Sequence, residues 1–332
     1  MEFGKIPSVD AEGAILGHSV SLGDGVLKKG TLLAAADVDR LRENNIISVY
    51  AARLGDDDVA ENEAAAAIGE VLAGEGVRVD VASTGRANLF AREAGVVEID
   101  ARRMDQLNLL DESLTVACLL PYERVKKGQM LATVKIIPYA VPRNTMNVAL
   151  AMVGDMASVQ MRAFSKKRVG LIITQLPHTK PALLQKTEEV MRQRIEGMGC
   201  ELGRVSIVAH DANGVSLALN ALMPHHDVGL VFGASAIVDR ADVVPVAITQ
   251  VGGSIEHLGM PVDPGNLLLL ARIGDMPVIG VPTCARSLKR NGFDWVLERL
   301  LAGIEVTGPD LQSMGVGGLL KEIPSRPQPR EM

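Results

Sequence analysis

The chain has 332 residues, 47% of them hydrophobic, 22% charged and 3% aromatic, with a formal net charge of -6. These values exclude global disorder, require cores built from Val, Ile, Leu, Ala and Met, and give no long-range attraction to nucleic acid or to an acidic membrane. Cys118, Cys200 and Cys284 are widely spaced and show no metal-ligand spacing, which predicts a reducing cytoplasmic setting rather than a disulfide framework. The start MEFGKIPSVDAEG lacks the basic residues and apolar run of a signal peptide. No apolar stretch approaches the ~20 residues needed to cross a bilayer, so a soluble protein without a membrane partner is expected.

In chain order, residues 13–55 alternate turns with short apolar segments around one short helix near Ala35 to Glu43, which predicts a small mixed N-terminal lobe over residues 1–55. Asp56-Asp57-Asp58 is expected to start a helix through VAENEAAAAIGEVLAG, which Gly74 and Gly76 end, because carboxylates near a first turn meet unpaired N–H groups. VRVDVA reads as a strand, TGRANLFAREAG as a turn and helix, VVEIDA as extended chain, RRMDQLNLL as a helix, and LTVACLL and MLATVKIIPYAV as strands. Together they predict an α+β middle module over residues 56–166. Its Arg86, Asn88, Arg92, Arg102, Arg103 and Asn108 are either a second anion-binding surface or a solvated, structural face.

From residue 167 onward the pattern is regular: RVGLIIT, a helix from Lys180 to Met198, RVSIVAH, a helix from Asn213 to Leu222, DVGLVFG, glycine-rich loops, LLLLARI, MPVIGVP and a helix from Asn291 to Leu301. Apolar strands separated by helix-length segments predict an α/β domain over residues 167–310, a three-layer fold with a mainly parallel sheet. The Pro-rich, polar end, residues 311–332, is expected to be a flexible tail.

The stretch from Phe232 to Asn266 concentrates candidate site chemistry. A small-residue turn, Gly233-Ala234-Ser235-Ala236, directly follows the strand VGLVF, and Asp239, Arg240, Asp242, Gly252, Gly253, Asp263, Pro264, Gly265 and Asn266 lie on loops after it. Loops at the carboxyl edge of a parallel sheet admit ligands, and their backbone N–H groups can hold an anion. Asp242 can cap the next helix or accept a donor or metal-bound water beside a phosphate. Asp263-Pro264-Gly265-Asn266 has turn composition. After MPVIGVP, Thr283, Cys284, Arg286 and Ser287 bring hydroxyl, thiol and guanidinium groups to a helix start, where Arg286 and Ser287 either contact an anion or cap the helix. His210 and His178 follow strands at the same predicted edge, whereas His225-His226 has the composition of a surface turn. A lysine-containing phosphate loop, a three-glycine dinucleotide fingerprint and a nucleophile elbow are all missing from the sequence, which disfavours Walker-type ATPase, NAD-binding and hydrolase chemistry.

On VGLVFGASA, Asp242-Val243-Val244-Pro245, Pro264-Gly265 and MPVIGVP with its following loop, residues 167–305 resemble the molybdopterin-binding domain family of molybdenum cofactor biosynthesis. That family includes molybdopterin adenylyltransferase and the molybdate-inserting molybdenumtransferase. GDGVLKKGTLLAAADVDRLRENNIISVYAARL also resembles a segment of the molybdate-inserting protein. The resemblance implies a molybdopterin-binding protein of molybdenum cofactor biosynthesis, with molybdopterin as ligand and with Mg²⁺ and ATP for adenylyl transfer or molybdate insertion. The alternative is a noncatalytic cofactor carrier or regulatory binding module. By the same resemblance Gly233, Ala234, Ser235 and Ala236 would cradle the pterin phosphate. Asp242 would be catalytic and hold the metal, Ser235 and Thr283 would be neutral donors, and Arg240 or Arg286 would offset phosphate charge. Pro264, Gly265 and Asn266 would form one wall, with Pro282, Thr283, Cys284 and Ala285 opposite. Other molybdenum cofactor proteins and a second copy in a homodimer are the implied partners. The chain departs from the family pattern at Ala234, where adjacent glycines are usual, at Asn266, where a basic residue is usual, and at Thr283-Cys284, where the turn usually contains glycine. An added Cβ obstructs backbone approach to a phosphate, and loss of a lysine removes a full charge.

Overall fold

The computed structural model describes residues 1–154 and 156–320, and the chain divides into two compact units, Met1–Met161 and Arg162–Met332. The first unit has two hydrophobic cores. One gathers Ala14, Leu16, Leu33, Val38, Leu41, Val49 and Ala51 between the helix Ala35–Glu43 and an antiparallel sheet in which Ser48–Arg53 lies between Glu2–Pro7 and Ile15–Leu16. The other lies between the helix Glu61–Leu72, which buries Ala64, Ala65, Ile68 and Leu72, and an antiparallel sheet ordered Leu114–Cys118, Met130–Ile136, Arg86–Ala91, Val77–Val79.

Two local expectations differ from the structure. RANLFA is a strand, Arg86–Ala91, and not part of a helix: Ala87, Leu89 and Ala91 are buried in alternation, and this period of two outweighs the helix propensity of Ala, Leu and Arg. The Asp56–Asp58 run does not cap the following helix. Asp58 begins the short strand Asp58–Ala60, which pairs with Ala140–Pro142, and its carboxylate accepts the Gly55 amide at 2.8 Å. The segment VPRNTMNVALAMVGD contains the helix Arg143–Val153, which buries Met146, Ala149 and Val153. Several polar groups considered for an anion surface instead bind their own unit. Asn108 bonds both the amide and the carbonyl of Val116, Arg92 donates to Val77 O, Arg103 donates to Met156 O, and Asn88 accepts from Thr133.

The second unit is built on one six-stranded sheet. Its elements run β1 (Arg168–Gln175), α1 (Pro181–Glu196), β2 (Glu201–Ala209), α2 (Ala212–Leu222), β3 (Val228–Phe232), α3 (Val243–Gln250), β4 (Ser254–Leu258), β5 (Leu269–Ile273), β6 (Met276–Val281), α4 (Gly292–Leu301) and α5 (Gly308–Ser313). The strand order is β2-β1-β3-β6-β5-β4. The first four strands are mutually parallel, while β5 runs antiparallel to both β6 and β4. Alternate residues of each strand feed opposite faces. Val169, Leu171, Ile173, Leu230, Phe232, Ile279 and Val281 pack with residues of α1 and α4. Ile172, Val231, Val278, Leu269 and Ala271 pack with residues of α2 and α3. The result is the three-layer, mainly parallel α/β fold expected from the continuous apolar strands, since a strand covered on both faces has no polar side to present. Residues 308–320 are tied down by α5 and by a backbone bond from Leu320 N to Asp263 O. The rest of the expected flexible tail, residues 321–332, lies outside the described residues.

Close helix-to-sheet contact depends on Gly170. A Cβ built there would stand 2.7–3.1 Å from the side-chain carbons of Leu222 on α2, and Leu222 is fully buried. Gly170→Val is therefore expected to cost about 1–3 kcal/mol through overpacking, read as a Tm several degrees lower in calorimetry of the full chain; an unchanged Tm would mean that α2 moves away freely.

Candidate functional site

Strand order places the site. The chain leaves β1 for β2 on one side and returns to β3 on the other, which makes the carboxyl ends of β1 and β3 a topological switch point, where loops diverge and leave a crevice. Thr174, on β1 and fully buried, projects its hydroxyl into this point. Its Oγ1 accepts the Ala234 amide at 2.7 Å, lies 2.8 Å from His210 Nδ1 and is 3.4 Å from the Phe232 carbonyl. A strand-end hydroxyl thus fixes the first residues of the small-residue turn and joins them to the loop after β2. Gly233 has no room for a side chain, since a Cβ there would meet the Ser235 carbonyl at 2.5 Å. Among the described residues, the amides of Ser235, Ala236 and Ile237 donate to no group of the chain, so they are available to an acceptor from outside. Asp242 caps α3: its Oδ1 accepts the Val243 amide at 2.7 Å and its Oδ2 accepts the Val238 amide at 3.4 Å.

The loop after β6 closes the other side. Arg194 on α1 is buried, and its guanidinium bonds Asp294 Oδ1 at 2.8 Å, the Ala285 carbonyl at 2.7 Å, the Ser287 carbonyl and the Lys289 carbonyl at 3.3 Å. Asp294 in turn accepts the Asn291 amide at 2.8 Å, while Asn291 Oδ1 accepts from Phe293 N, a capping box that starts α4. These bonds hold the 3₁₀ turn Thr283–Arg286 at the sheet edge. Arg286 then lies over the Phe232 ring, 4.8 Å from its centroid, and its Nη2 reaches the Gly233 carbonyl at 3.4 Å. Its Nε is buried without an acceptor, and burial lowers its pKa from the ordinary guanidinium value.

The Asp263–Asn266 turn belongs to the same edge. Leu269 of β5 is opposite Gly280 near the carboxyl end of β6, Gly292 N donates to Pro264 O at 2.9 Å, and Gly265 approaches Gly292 so closely that a Cβ would meet its amide nitrogen at 2.7 Å. The structure thus brings Gly233, Ala234, Ser235, Ala236, Asp242, Pro264, Gly265, Asn266, Thr283 and Arg286 to one edge. It separates others. Gly252 and Gly253 follow α3 at the opposite edge, where Ser254 faces Arg272 and Arg272 faces Pro277, because an eight-residue helix carries the chain across the sheet. Gly253 there packs against Ile248 and Ile273. Arg240 is exposed and contacts the Ile255 carbonyl at 3.5 Å rather than the Gly233 turn. Ser287 contributes its carbonyl to Arg194, and its hydroxyl accepts the Lys289 amide.

Among the described residues no group of three or more His, Cys, Asp and Glu side chains is arranged to hold a metal ion. With a single carboxylate already turned to two backbone amides, the donor set at Asp242 does not fit a protein-held Mg²⁺. An open depression of about 510 Å³ lies elsewhere, lined by Lys167, His226, Asp227 and Asp275 where the parallel strands begin. Three of its polar groups serve the fold: His226 Nε2 accepts the Arg204 amide, Asp227 accepts the Arg168 amide, and Lys167 donates to Leu300 O. This depression lies at the opposite ends of the strands from the Gly233 turn.

Sequence reasoning missed Thr174 and Arg194. Arg194 had a signal: it occupies the buried stripe of α1 with Thr187, Val190, Met191 and Ile195, a position that demands a buried partner for a charge. Thr174 had a weaker one, a lone hydroxyl ending an apolar strand.

A family model described as "Domain of unknown function (DUF8806)" matches residues 5–53. No curated protein matches the chain. Among solved structures, the chain is similar to a molybdopterin biosynthesis MoeA protein from Pyrococcus horikosii, at 12% identity and a TM-score of 0.33, over 91% of this chain and 75% of that one. It is also similar to the protein CinA, of unknown function, from Thermoplasma acidophilum, at 11% identity and a TM-score of 0.32, over 42% of this chain and 99% of that one. A third is the molybdopterin biosynthesis enzyme MoaB from Thermus thermophilus, at 15% identity and a TM-score of 0.28, over 41% of this chain and 97% of that one.

Replacing Arg194 by Met leaves Asp294 buried without its cation, at an expected cost of about 3–5 kcal/mol. Chemical denaturation of the full chain, with limited proteolysis at residues 285–290, checks this. A loss below about 1 kcal/mol with an intact loop would show that the guanidinium does not hold the site's wall.

Proposed function

We propose that the second unit binds a molybdopterin-type pterin phosphate at the carboxyl edge of its parallel strands and serves in molybdenum cofactor biosynthesis. The observation that carries this is convergence: the turn after β3, the turn before β5 and the loop after β6 meet at one sheet edge, around a glycine with no space for a Cβ and three amides free of intrachain acceptors. These are also the segments that carry the sequence resemblance. The residues present fit such a ligand. Ser235, Ala236 and Ile237 offer backbone donors, Ser235 and Thr283 are exposed hydroxyl donors, and Arg286 supplies positive charge.

Within this proposal, binding without transfer is favoured over Mg²⁺-dependent adenylyl transfer or molybdate insertion. The specific ground is Asp242. Its carboxylate accepts two backbone amides and starts α3, which makes it a structural cap in this geometry rather than a free acceptor for a metal-bound water. Ala234 adds a Cβ beside the turn, and Asn266 brings no charge. The chain's own contribution is then to orient the pterin, replace its hydration with fixed amide and hydroxyl donors, and keep it for delivery to another protein.

Two outcomes check the proposal. Titration with molybdopterin under anaerobic conditions, followed by intrinsic fluorescence, is expected to saturate for the natural chain and to weaken by at least roughly tenfold for Gly233→Val, equivalent to about 1.4 kcal/mol. Failure of the natural chain to bind any pterin phosphate ends the pterin assignment. Asp242→Ala is expected to lower stability by about 1 kcal/mol as a lost cap while pterin affinity stays within twofold, roughly 0.4 kcal/mol. Measured turnover with ATP and Mg²⁺ that disappears in Asp242→Ala would replace the carrier with a transferase.

A further inference from the structure

Edge strands leave backbone groups unpaired, and folds block them against wrong pairing. This chain blocks several of its edges. In the four-stranded sheet of the first unit, the Asn108 carboxamide bonds both the amide and the carbonyl of Val116 on one outer strand, at 2.7 and 2.9 Å. On the other outer strand, Arg92 donates to Val77 O at 2.9 Å. In the six-stranded sheet, β4 carries Glu256 and His257, and Arg240 contacts its Ile255 carbonyl at 3.5 Å. The start of α5 lies so close to β4 that a Cβ on Gly308 would stand 3.4 Å from Glu256 O. The strand β2 is different. It forms the other end of that sheet and is nine residues long. His210 N bonds Gln175 O, so by the alternation of a parallel ladder the amides and carbonyls of Val205 and Ile207 point away from β1. Among the described residues no bond outside the ladder reaches them. The stretch Val205–Ala209 reads VSIVA, without a charge, a Pro or a Gly, and stays in regular register with Leu171–Gln175. The bulge of β2 lies before it, between Leu202 and Val205, where the Arg204 amide donates to His226 Nε2. Ile207 is 47% exposed.

We infer that the Val205–Ala209 edge of β2 is a docking strand for a second copy of this chain, paired antiparallel about Ile207. The inference is independent of the pterin reading. Outward groups must face outward groups across such a pair, and centring on Ile207 sets Ile207 opposite Ile207 and Val205 opposite Ala209. The whole uncharged stretch is then matched with its own image. The ends are matched too. In the same register Arg204 of one copy comes opposite His210 of the other and diagonal to Asp211. Arg204 is exposed and forms no ion pair among the described residues, whereas the neighbouring Glu201 is already paired with Arg168 at 3.0 Å. Asp211 is exposed, and only its Oδ1 is used, by the Gly214 amide at 2.8 Å. A two-fold axis makes this pairing of opposite charges twice. Sliding the register to set Val205 opposite Ile207 would instead bring Glu201 toward Asp211, two like charges. An unrelated extended peptide would satisfy the backbone equally well, but the complementary charges at both ends are this chain's own.

Sedimentation velocity of the full chain over a concentration series is expected to show a reversible monomer–dimer equilibrium, with the Ile207 amide gaining hydrogen-exchange protection as the dimer fills. Ile207→Lys puts a cation on an exposed edge position, opposite its own copy. It is expected to weaken the dimer at least roughly tenfold, while the Tm of the dilute chain stays unchanged. Arg204→Glu and Asp211→Lys should each weaken association when alone, because both ends then carry like charges. Their equimolar mixture should recover it to within roughly threefold of the natural chain, since every end again sets a cation against a carboxylate. Recovery on mixing also separates the interface from the helix cap that Asp211→Lys removes, because a second chain does not repair a fold defect. A natural chain that stays monomeric throughout, a dimer indifferent to Ile207→Lys, or a mixture no tighter than the single variants would each overturn the inference.

Discussion

The second unit depends on a buried charge being answered. Arg194 extends from α1 into the space beneath the loop that links β6 to α4, where it meets Asp294 and the carbonyls of Ala285, Ser287 and Lys289. Removing a guanidinium from water is costly unless nearly all its hydrogens are bonded, and this requirement specifies the loop's path. Asp294 is held from the other side by the amide of Asn291, so the ion pair and the start of α4 are one structure. The turn carrying Thr283 and Arg286 is consequently positioned by a residue almost a hundred positions earlier in the chain, and a local account of VPTCARS has no access to it.

A second constraint is topological. Because β2 and β3 lie on opposite sides of β1, the segments that follow β1 and β3 part at their carboxyl ends, and the Thr174 hydroxyl bridges them there through the Ala234 amide. The polar groups at this edge differ sharply in how far the fold has used them. Asp242 and Arg194 are consumed by capping and ion pairing. The amides of Ser235, Ala236 and Ile237 and the guanidinium of Arg286 are left under-bonded. At the opposite edge, the depression lined by His226, Asp227 and Lys167 has these three groups committed to backbone partners.

Much of the architecture was legible from patterning. Continuous apolar strands such as RVGLIIT and VGLVF can be satisfied only when both faces are covered, and that led to a parallel sheet between helical layers. The small-residue turn after VGLVF, the Pro264-Gly265 turn and the loop after MPVIGVP were identifiable because Gly, Pro and short polar residues punctuate apolar runs. The expectations that failed depended on direction or competition. Gly252 and Gly253 lie close to Gly233 in sequence, yet α3 carries them to the far edge. Arg240 adjoins the turn, but its exposed side chain reaches the Ile255 carbonyl instead. RANLFA has helix-forming residues, but its alternation pairs it into a sheet as the strand Arg86–Ala91.

The sequence by itself therefore determined the layer architecture, the absence of a Walker or dinucleotide loop, and the segments from which a site could be made. It did so because hydrophobic periodicity and turn chemistry are local properties written along the chain. Only the tertiary structure decided which polar residues the fold consumes and which it leaves available: Asp242 and Arg194 in the first group, Arg286 and the Gly233 turn in the second. The physical reason is that desolvation and hydrogen-bond satisfaction depend on what lies across space, and the partners of Arg194 and Thr174 come from segments that no spacing rule connects.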